Sequence, residues 1–405
     1  TSWNRRYARN WGRLGMRCKL GDISEITKLA GYEFTKYIKY IPDGEIIAVR
    51  ALNLKNGALV LDDIQRISKE VSETLPRSQL HKNDIVLSYT GTLGECAQIR
   101  EDGKYHLAPN VCKITPNDSV VNPNFLFQYI RCEKFKQTLI NYAHGSTQPT
   151  IPMSTIRDIP VDIPDDLEKQ GKIAAILSIL DEKIAINRAI NDNLEQQAQA
   201  LFQELFITNT DPSWETGTIS NLGTVIGGST PSKARPEYYT KNGIAWITPK
   251  DLSINRSKFI THGESDITEL GLKNSSATVM PEGTVLFSSR APIGYIAIAA
   301  GNITTNQGFK SVVPNAEIGT AYVYYYLKQN LSMIERLASG STFKEVSGGT
   351  MKSVPAIVPD SKTIQEFNNF CLPIFEQQKV LETQNRTLAG LRDSLLPKLM
   401  SGELD

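Results

Sequence analysis

A long heptad repeat between Ile173 and Leu205 constrains this chain more than any other feature. Apolar residues recur there at alternating steps of four and three, and no Gly or Pro interrupts residues 172–206. The spacing predicts one long α-helix with a coiled-coil face, about 50 Å in length because each residue adds ~1.5 Å. Asn187 and Asn191 fall on the same face, where a polar residue weakens the contact but fixes its register.

A second segment with the same rhythm begins at Phe367 and ends at Leu399. We predict that the two helices pair antiparallel and hold two globular bodies at a fixed distance; the alternative is two amphipathic helices on separate cores. Pro373 should kink the second helix or mark a late start, and Pro397 should disturb its last turn. The predicted helix-pair seam comprises Ile173, Leu177, Leu180, Ile184, Asn187, Asn191, Leu194, Leu201 and Leu205 on the first helix and Phe367, Ile374, Leu381, Asn385, Leu388, Leu395 and Leu399 on the second.

The charge of the chain is divided between these segments. Residues 1–160 hold 22 Lys and Arg against 16 Asp and Glu, whereas residues 161–206 hold 4 against 9. Residues 207–357 hold 13 against 11, and residues 358–405 hold 5 against 7. A polyanion would be attracted to the two globular parts and repelled by the helices, which leaves the helices for protein contacts.

The two halves of the chain repeat one another in a single order, with an offset of about 195–200 residues. The final block is the most similar, since six of the 20 positions in residues 145–164 are identical to those in 340–359. Both copies begin with Gly-Ser-Thr. The earlier matching blocks are residues 20–27 with 222–226, 46–54 with 244–252, 84–94 with 284–294, and 107–116 with 304–314. Blocks 46–54 and 244–252 predict buried strands that lead into a loop, and blocks 84–94 and 284–294 predict β-rich runs that a turn interrupts.

These observations predict an α+β fold with two similar mixed α/β domains, two long antiparallel coiled-coil helices and a pseudo-two-fold internal repeat. A chain of 405 residues is long enough for two or more domains. We assign residues 1–15 to an N-terminal extension that lies outside the natural protein if Met16 is the start. The first domain then covers residues 16–163, the first spacer helix 164–208, the second domain 209–358 and the second spacer helix 359–405.

The sequence offers little catalytic chemistry. It contains no G-x-x-x-x-G-K-[ST], no G-x-G-x-x-G and no H-E-x-x-H pattern. The five cysteines are scattered without a C-x-x-C pair, and no run of about 18 apolar residues occurs. We therefore expect a cytoplasmic, non-enzymatic protein with no metal site, no cofactor of its own and no membrane span.

Polar residues follow the repeated strands and define candidate contacts to nucleic acid. Short hydroxyls and backbone N–H groups suit phosphate oxygens, whereas Arg, Lys, Gln and Asn can pair with base edges in the major groove. Each residue alone is better explained as a turn residue that caps a strand, so only recurrence in both halves favours a function. The candidates are Arg50, Asn53, Ser88, Tyr89, Thr90, Thr92, Ser146, Thr147 and Gln148 in the first half and Thr230, Lys233, Lys250, Ser289, Arg290, Gln307, Thr342 and Lys344 in the second.

The ordered set of these features resembles the specificity subunits of type I restriction–modification systems. The resemblance rests on two variable globules each followed by a similar helix, on G-S-T…P at residues 145–160 and 340–355, and on the ending L-L-P-K-L-M-S-G-E-L. It implies that each globule is a target-recognition domain for one half of a split, asymmetric site in double-stranded DNA. It also implies that the helices set the half-site spacing and dock two methyltransferase subunits.

The resemblance further places S-adenosylmethionine on the methyltransferase subunits, with ATP and Mg on separate restriction/translocase subunits. Adenine methylation requires the base to leave the stack, and the pocket for it would belong to the methyltransferase. The residues themselves leave two alternatives to a DNA specificity subunit. One is a duplicated coiled-coil scaffold for protein–protein assembly, and the other is an unrecognised methyltransferase domain.

Overall fold

The computed structural model describes residues 15–145, 148–340, 344–401 and 403 of the chain. They form two compact units, one that runs up to Ile184 and resumes at Thr387, and another that covers Ala185–Arg386. Each unit therefore contains one globular domain and one half of each long helix. The predicted domain boundaries at residues 163, 208 and 358 stay a prediction, since these units divide the helices in the middle.

The first unit is built from short strands and helices that precede one long helix. Its strands are β1 (Met16–Lys19), β2 (Ser24–Lys28), β3 (Ile46–Val49), β4 (Leu54–Lys55), β5 (Ala58–Leu59), β6 (Gln65–Ile67), β7 (Gln79–Leu80), β8 (Ile85–Ser88), β9 (Cys96–Gln98), β10 (Tyr105–Leu107), β11 (Val111–Pro116) and β12 (Pro160–Ile163). Its helices are α1 (Leu20–Ile23), α2 (Gly31–Tyr37), α3 (Lys69–Thr74), α4 (Pro123–Arg131), α5 (Glu133–Asn141), α6 (Met153–Arg157) and the first half of α7 (Leu167–Gln203).

The second unit repeats this plan. Its strands are β13 (Glu215–Thr218), β14 (Gly223–Gly227), β15 (Tyr239–Thr240), β16 (Ile244–Ile247), β17 (Phe259–Ile260), β18 (Ser265–Ile267), β19 (Val285–Ser289), β20 (Ile293–Ala299), β21 (Thr304–Thr305), β22 (Lys310–Pro314) and β23 (Pro355–Val358). Its helices are α8 (Ile219–Leu222), α9 (Pro249–Ile254), α10 (Glu269–Lys273), α11 (Thr320–Gln329), α12 (Leu331–Arg336), α13 (Gly348–Ser353) and the first half of α14 (Ser361–Ser401).

Equivalent strands pair in the same way in both units. The sheet β2-β11-β8-β9 corresponds to β14-β22-β19-β20, to which the second unit adds β17. The parallel pair β3 with β10 corresponds to the parallel pair β16 with β21, and the antiparallel pair β1 with β12 corresponds to β13 with β23. The mixed α/β fold with an internal repeat is thereby confirmed. The strands predicted within residues 46–54 and 244–252 are shorter than those blocks, because they end at Val49 and Ile247.

Both long helices are continuous, and neither Pro373 nor Pro397 ends α14. The second helix begins at Ser361 and passes through Pro373 and Pro397 to Ser401, so the prediction of a late start at Pro373 is wrong. A kink at Pro373 stays a prediction. Both prolines lie on exposed positions of the helix, where the ring meets solvent rather than the packed core. The seam positions on both helices are buried or half-buried. Phe202, near the end of α7, and Phe206, in the π-helical turn Glu204–Thr208 that follows, are buried. They lie one position beyond the predicted Leu201 and Leu205, because 3.6 residues per turn drift from a 3.5-residue repeat.

The helix halves run antiparallel within each unit. In the first unit, Leu177 of α7 shares a core with Leu399 of α14, and Arg392 lies nearer the middle of α14 beside Asp181. In the second unit, Nδ2 of Asn187 donates to Oδ1 of Asn385 at 3.0 Å across the seam. Farther along α7, the ring centroids of Phe202 and Phe367 lie 5.6 Å apart. Residue numbers therefore rise on α7 as they fall on α14, which confirms the predicted pairing.

An acidic residue of α7 joins the helices to the globular domain in each unit. Asp181 accepts hydrogen bonds from Arg131 and Gln128 of α4 at 2.5 and 2.6 Å, and from Arg392 of α14 at 3.0 Å. In the second unit, Glu195 contacts Lys258 at 2.5 Å and Lys328 at 2.6 Å. Such ion pairs can fix the geometry because the carboxylate is shared by groups from different elements.

In the part of the chain that the structure describes, none of the helices is both long enough and apolar enough to cross a membrane. The same residues contain no group of three or more His, Cys, Asp and Glu with the arrangement that holds a metal ion.

Candidate nucleic-acid interface

The predicted contact loops of the first unit converge at one edge of its sheets. The N–H of Ala108 donates to the carbonyl oxygen of Val49 at 3.1 Å, which places the loop after β10 beside the loop after β3. The N–H of Tyr89 donates to Asn110, and the N–H of Ile151 donates to Tyr89. Backbone hydrogen bonds thus bring together four segments that lie far apart in sequence.

The second unit repeats this convergence with equivalent bonds. The N–H of Asn306 donates to Ile247, and the N–H of Ser289 donates to Gly308. The N–H of Val346 in turn donates to Ser289 at 3.0 Å. The loop after β14 joins the same edge at Gly228, where an added Cβ would lie 2.0 Å from the carbonyl oxygen of Asn306, so only glycine permits this approach.

The two Gly-Ser-Thr loops are closed by matching pairs of backbone hydrogen bonds. His144 and Thr150 exchange N–H···O bonds of 2.9 Å in the first unit, and Ser339 and Glu345 exchange bonds of 2.9 and 3.1 Å in the second. The bonds from Ile151 to Tyr89 and from Val346 to Ser289 then hold the base of each loop against the end of β8 or β19. Ser146, Thr147 and Thr342 of the prediction lie outside the described residues.

Three predicted contact residues are buried and serve the fold instead. Asn53, Ser88 and Ser289 are each 0% exposed. Nδ2 of Asn53 donates to the carbonyl oxygens of Val60 and Asp63 at 3.0 and 2.8 Å. A buried side chain whose donor is already used cannot meet a base or phosphate, so the prediction is wrong for these three residues.

The serines explain why recurrence was misleading. The hydroxyl of Ser88 donates to the carbonyl oxygen of Thr92 and accepts the N–H of Glu95, which clamps the turn after β8. Ser288 clamps the turn after β19 in the same way, through Pro292 and Tyr295 at 2.8 Å each. These positions repeat because both copies of the fold need the same turn. Ser289 also serves the fold, because its hydroxyl donates to the carbonyl oxygen of Gly308 at 3.1 Å.

The remaining candidates of the first unit form a surface of hydroxyl, aromatic and basic groups. Tyr89 is half-buried beneath the ammonium of Lys28, which lies 5.4 Å from the ring centroid. Burial raises the pKa of Tyr89, so its hydroxyl stays protonated and able to donate. Thr90 Oγ1 lies 2.8 Å from Oγ1 of Thr150, and Arg50 Nη2 donates to Asp63 Oδ1 at 3.0 Å. Thr92 and Gln148 are exposed at this edge.

The second unit presents a more strongly charged surface. Arg290 Nη1 lies 3.4 Å and Lys310 Nζ 3.3 Å from the two carboxylate oxygens of Glu345. Lys310 also donates to the carbonyl oxygen of Gln307, whose side chain accepts the hydroxyl of Thr230. One carboxylate therefore orients two cations beside the exposed amide of Gln307 and the half-buried hydroxyl of Thr230. Lys233, Lys250 and Lys344 are exposed, and Lys250 donates to Glu264 at 2.6 Å.

Sequence reasoning missed Lys28, Thr150, Lys310 and Glu345 in these surfaces. Recurrence could not identify them, because Lys28 corresponds to Gly227, Lys310 to Cys112 and Glu345 to Thr150 in the paired strands and loops. The fold repeats while the exposed side chains on it differ. Two domains built in this way can bind two different surfaces of the same kind of ligand.

The sequence matches a known family twice. The type I restriction modification DNA specificity domain matches residues 16–196 and again residues 212–386, which together make up most of the chain.

Individual relatives carry the same description. The chain is 40% identical over 167 residues to the type I restriction enzyme MjaIX specificity subunit of Methanocaldococcus jannaschii, a match that covers 41% of this chain and 38% of that subunit. It is 26% identical over 379 residues to the type I restriction enzyme HindI specificity subunit of Haemophilus influenzae, covering 74% of this chain and 81% of the other. The crystal structure of a type I restriction–modification S subunit from M. genitalium has the same fold, with a TM-score of 0.54, 14% identity and 96% of both chains covered.

Proposed function

Because the chain belongs to the family of type I restriction modification DNA specificity domains, we propose that each of its globular domains binds one half of a bipartite DNA site. What carries this proposal is that each unit independently gathers polar and basic loops at the same edge of the same fold. The first domain offers Tyr89, Thr90, Arg50 and Gln148, and the second offers Arg290, Lys310, Gln307 and Thr230. Different side chains on one scaffold account for an asymmetric target.

The two surfaces differ in the contacts they can make. Arg290 can donate two parallel hydrogen bonds to the O6 and N7 atoms of guanine, and Glu345 beside it can accept from the amino group of cytosine. The first domain relies on hydroxyl and amide groups that suit phosphate oxygens, adenine or thymine. Glu345 also opposes non-specific attraction of phosphates to the two cations, which favours binding by base contact rather than by charge alone.

Arg290→Ala tests the assignment of the second domain. We expect binding of the cognate site to weaken by about 1–3 kcal/mol, or roughly 5- to 150-fold, because a bidentate contact to one base pair is lost. Footprinting of the variant in complex with the methylating subunits should show lost protection at one half-site only. Equal loss at both half-sites would count against separate recognition domains.

Arg256→Ala is a matched control for that experiment. Arg256 is an exposed arginine of the same unit that lines a shallow groove with Asn255 and Tyr295 and takes no part in the ion pairs that Glu345 forms with Arg290 and Lys310. The substitution removes the same charge and the same side chain. It should leave both halves of the footprint intact.

The helices are proposed to set the half-site spacing and to dock the methyltransferase subunits. Large apolar side chains remain exposed on α7 at helical spacing: Ile176 at 44%, Ile179 at 64%, Ile186 at 55% and Ile190 at 40%. Steps of three, seven and four residues place them on one face of the helix. An exposed apolar face on an otherwise acidic helix supports a protein partner rather than DNA.

The double substitution of Ile186 and Ile190 by Asp tests this docking surface. We expect affinity for the methyltransferase subunits to fall at least tenfold, since a buried apolar residue at the centre of an interface can contribute about 2 kcal/mol or more. Analytical ultracentrifugation of the assembled complex measures the loss. The control is Gln196→Asp with Gln199→Asp, which adds the same charge at exposed polar positions of the same helix. Full assembly by the isoleucine variant would remove this surface from the proposal.

The catalytic steps are assigned to other chains in this proposal. S-adenosylmethionine is placed on the methyltransferase subunits, which would also hold the extruded adenine. ATP and Mg are placed on the restriction/translocase subunits. This chain recognises the DNA sequence and sets the distance between the two half-sites.

A further inference from the structure

A short segment of the first unit exposes aromatic and basic side chains together. Within residues 31–41, Tyr32 is 70% exposed, Tyr37 37% and Tyr40 38%. Lys36 and Lys39 are exposed between them. The same eleven residues contain one acidic residue, Glu33, which is half-buried and accepts the N–H of Ala30 at 3.1 Å.

The segment is anchored, so these side chains are displayed in a fixed arrangement. Phe34 and Ile38 pack on the core of the domain, and the ring centroids of Phe34 and Tyr40 lie 6.2 Å apart. The N–H of Ile41 donates to the carbonyl oxygen of Arg66 at 3.0 Å, which fastens the end of the segment to β6. Packing does not explain the three exposed tyrosines of this anchored segment, because their rings leave a large apolar area in contact with water.

The segment adjoins the contact surface of the first domain. Lys28, at the end of β2 and three residues before α2, lies over the ring of Tyr89. At the other end of the segment, Tyr40 lines a groove with Ile64, and Arg50 donates to the adjoining Asp63 at 3.0 Å. The segment thus extends the surface formed by Tyr89 and Arg50.

We propose that residues 31–41 bind the sugar–phosphate backbone of the DNA beside the half-site that the first domain recognises. The inference rests on the proposed DNA-binding function and adds a contact that carries no sequence information. Lysine ammonium groups neutralise phosphates, and tyrosine hydroxyls donate to phosphate oxygens while the rings cover the sugars. Such contacts fix the register of the protein on the duplex.

The second unit supports this assignment at the equivalent place in the chain. Between β14 and β16 it exposes Lys233, Arg235 and Lys241, with Tyr238 half-buried among them. Tyr239 anchors this stretch by donating to the carbonyl oxygen of Pro231 at 2.5 Å. A basic segment with tyrosine therefore follows the same strand in both domains, although the residues differ.

The test is Lys36→Gln combined with Lys39→Gln in the full chain assembled with its methyltransferase subunits. Affinity is measured from low to high NaCl for a cognate duplex and for a duplex with both half-sites scrambled. Each phosphate contact contributes about 0.9 to the slope of log K against log salt, so we expect a slope shallower by about 1.8. Both duplexes should weaken by the same factor.

The control is Lys82→Gln combined with Lys104→Gln. These exposed lysines belong to the same domain but precede β8 and β10, at the opposite ends of those strands from Tyr89 and Ala108. The charge removed is the same, and the salt slope should remain that of the unaltered protein. Thermal unfolding checks both variants, and if the first double variant is unstable the single variants, each expected to lower the slope by about 0.9, decide the question.

The outcomes separate this inference from the proposed function. If the unaltered complex does not distinguish the cognate duplex from the scrambled one, the proposed function fails. If it does, and the Lys36 and Lys39 variant keeps the original slope, only the backbone contact is overturned. A loss confined to the cognate duplex would identify base contacts instead, and a loss of subunit assembly would identify a protein surface; either result overturns the inference.

Discussion

Exchanging residues 16–163 for the corresponding domain of another family member is expected to replace one half of the recognised DNA sequence and to leave the other half unchanged. The physical reason is that each globular domain has its own core. Leu87, Phe125 and Ile156 belong to the core of the first unit, whereas Phe287, Tyr322 and Met351 belong to that of the second. The contact loops of each domain are positioned by backbone bonds within the same domain.

The donor domain for this exchange is chosen by its fit to the retained helices. It must supply a glutamine and an arginine equivalent to Gln128 and Arg131, because Asp181 of α7 accepts hydrogen bonds from both. A donor without them would leave Asp181 paired with Arg392 alone. Mapping of methylated adenines in DNA exposed to the assembled complex reads the result directly, and methylation in which both halves change, or neither does, contradicts the assignment.

Lys258→Met is expected to cost about 3 kcal/mol of folding free energy, one of the largest effects of a single substitution in this chain. Lys258 is 8% exposed, and its Nζ contacts Glu195, Tyr325 and Gln378 at 2.5, 3.1 and 2.8 Å. Removing one partner of a buried ion pair leaves the other charge without compensation, which costs about 3–5 kcal/mol. The lower end applies because Lys328 still contacts Glu195. Urea unfolding of the full chain measures the change.

The same pair predicts how stability depends on pH. Burial acts to raise the pKa of Glu195, but the charge and hydrogen bond of Lys258 and those of Lys328 outweigh it and lower the pKa to about 2 from a usual 4.5. A carboxyl whose pKa is lowered by folding stabilises the native state above about pH 4.5, and this contribution is lost as the pH falls through about 2. Lys258→Met should reduce the acid-dependent loss of stability in that interval.

Glu195→Gln combined with Lys258→Met is the control for this prediction. With both charges removed, no buried carboxylate lacks a compensating cation, so the double variant should be more stable than Lys258→Met alone. With Glu195→Gln alone as the fourth protein, the effect of the double variant minus the effects of the two single variants gives the coupling energy of the two side chains. Equal stability of the double variant and Lys258→Met would mean that Glu195 does not need Lys258.

The helices and the repeat could be predicted from sequence because both leave a regular signal. A seam that recurs every three and four residues identifies a long helix whatever it packs against, and α7 and α14 follow it through Asn187 and past Pro373. The shared offset of the two halves predicted equivalent sheets, which the matching strand orders confirm. The family resemblance depended on the same regularities.

Recurrence was a poor guide to the contact residues. Ser88 and Ser288 recur because each clamps a turn from a buried position. Lys310 and Glu345 lie half-buried beside Arg290, without any counterpart of the same type in the first half. In a duplicated chain, the residues shared by both copies maintain the fold, and those that differ are free to distinguish two targets.

The sequence by itself determined the duplication, the two long helices, their antiparallel pairing and the family of the chain. These depend on periodicity and order along the chain, which are complete in the sequence. Only the tertiary structure decided which polar side chains reach the surface, since Asn53 is buried by contacts with Val60 and Asp63 and Lys28 approaches Tyr89 from a distant strand. Burial and neighbourhood arise when the sheets and loops close on one another, and no local pattern of residues contains that information.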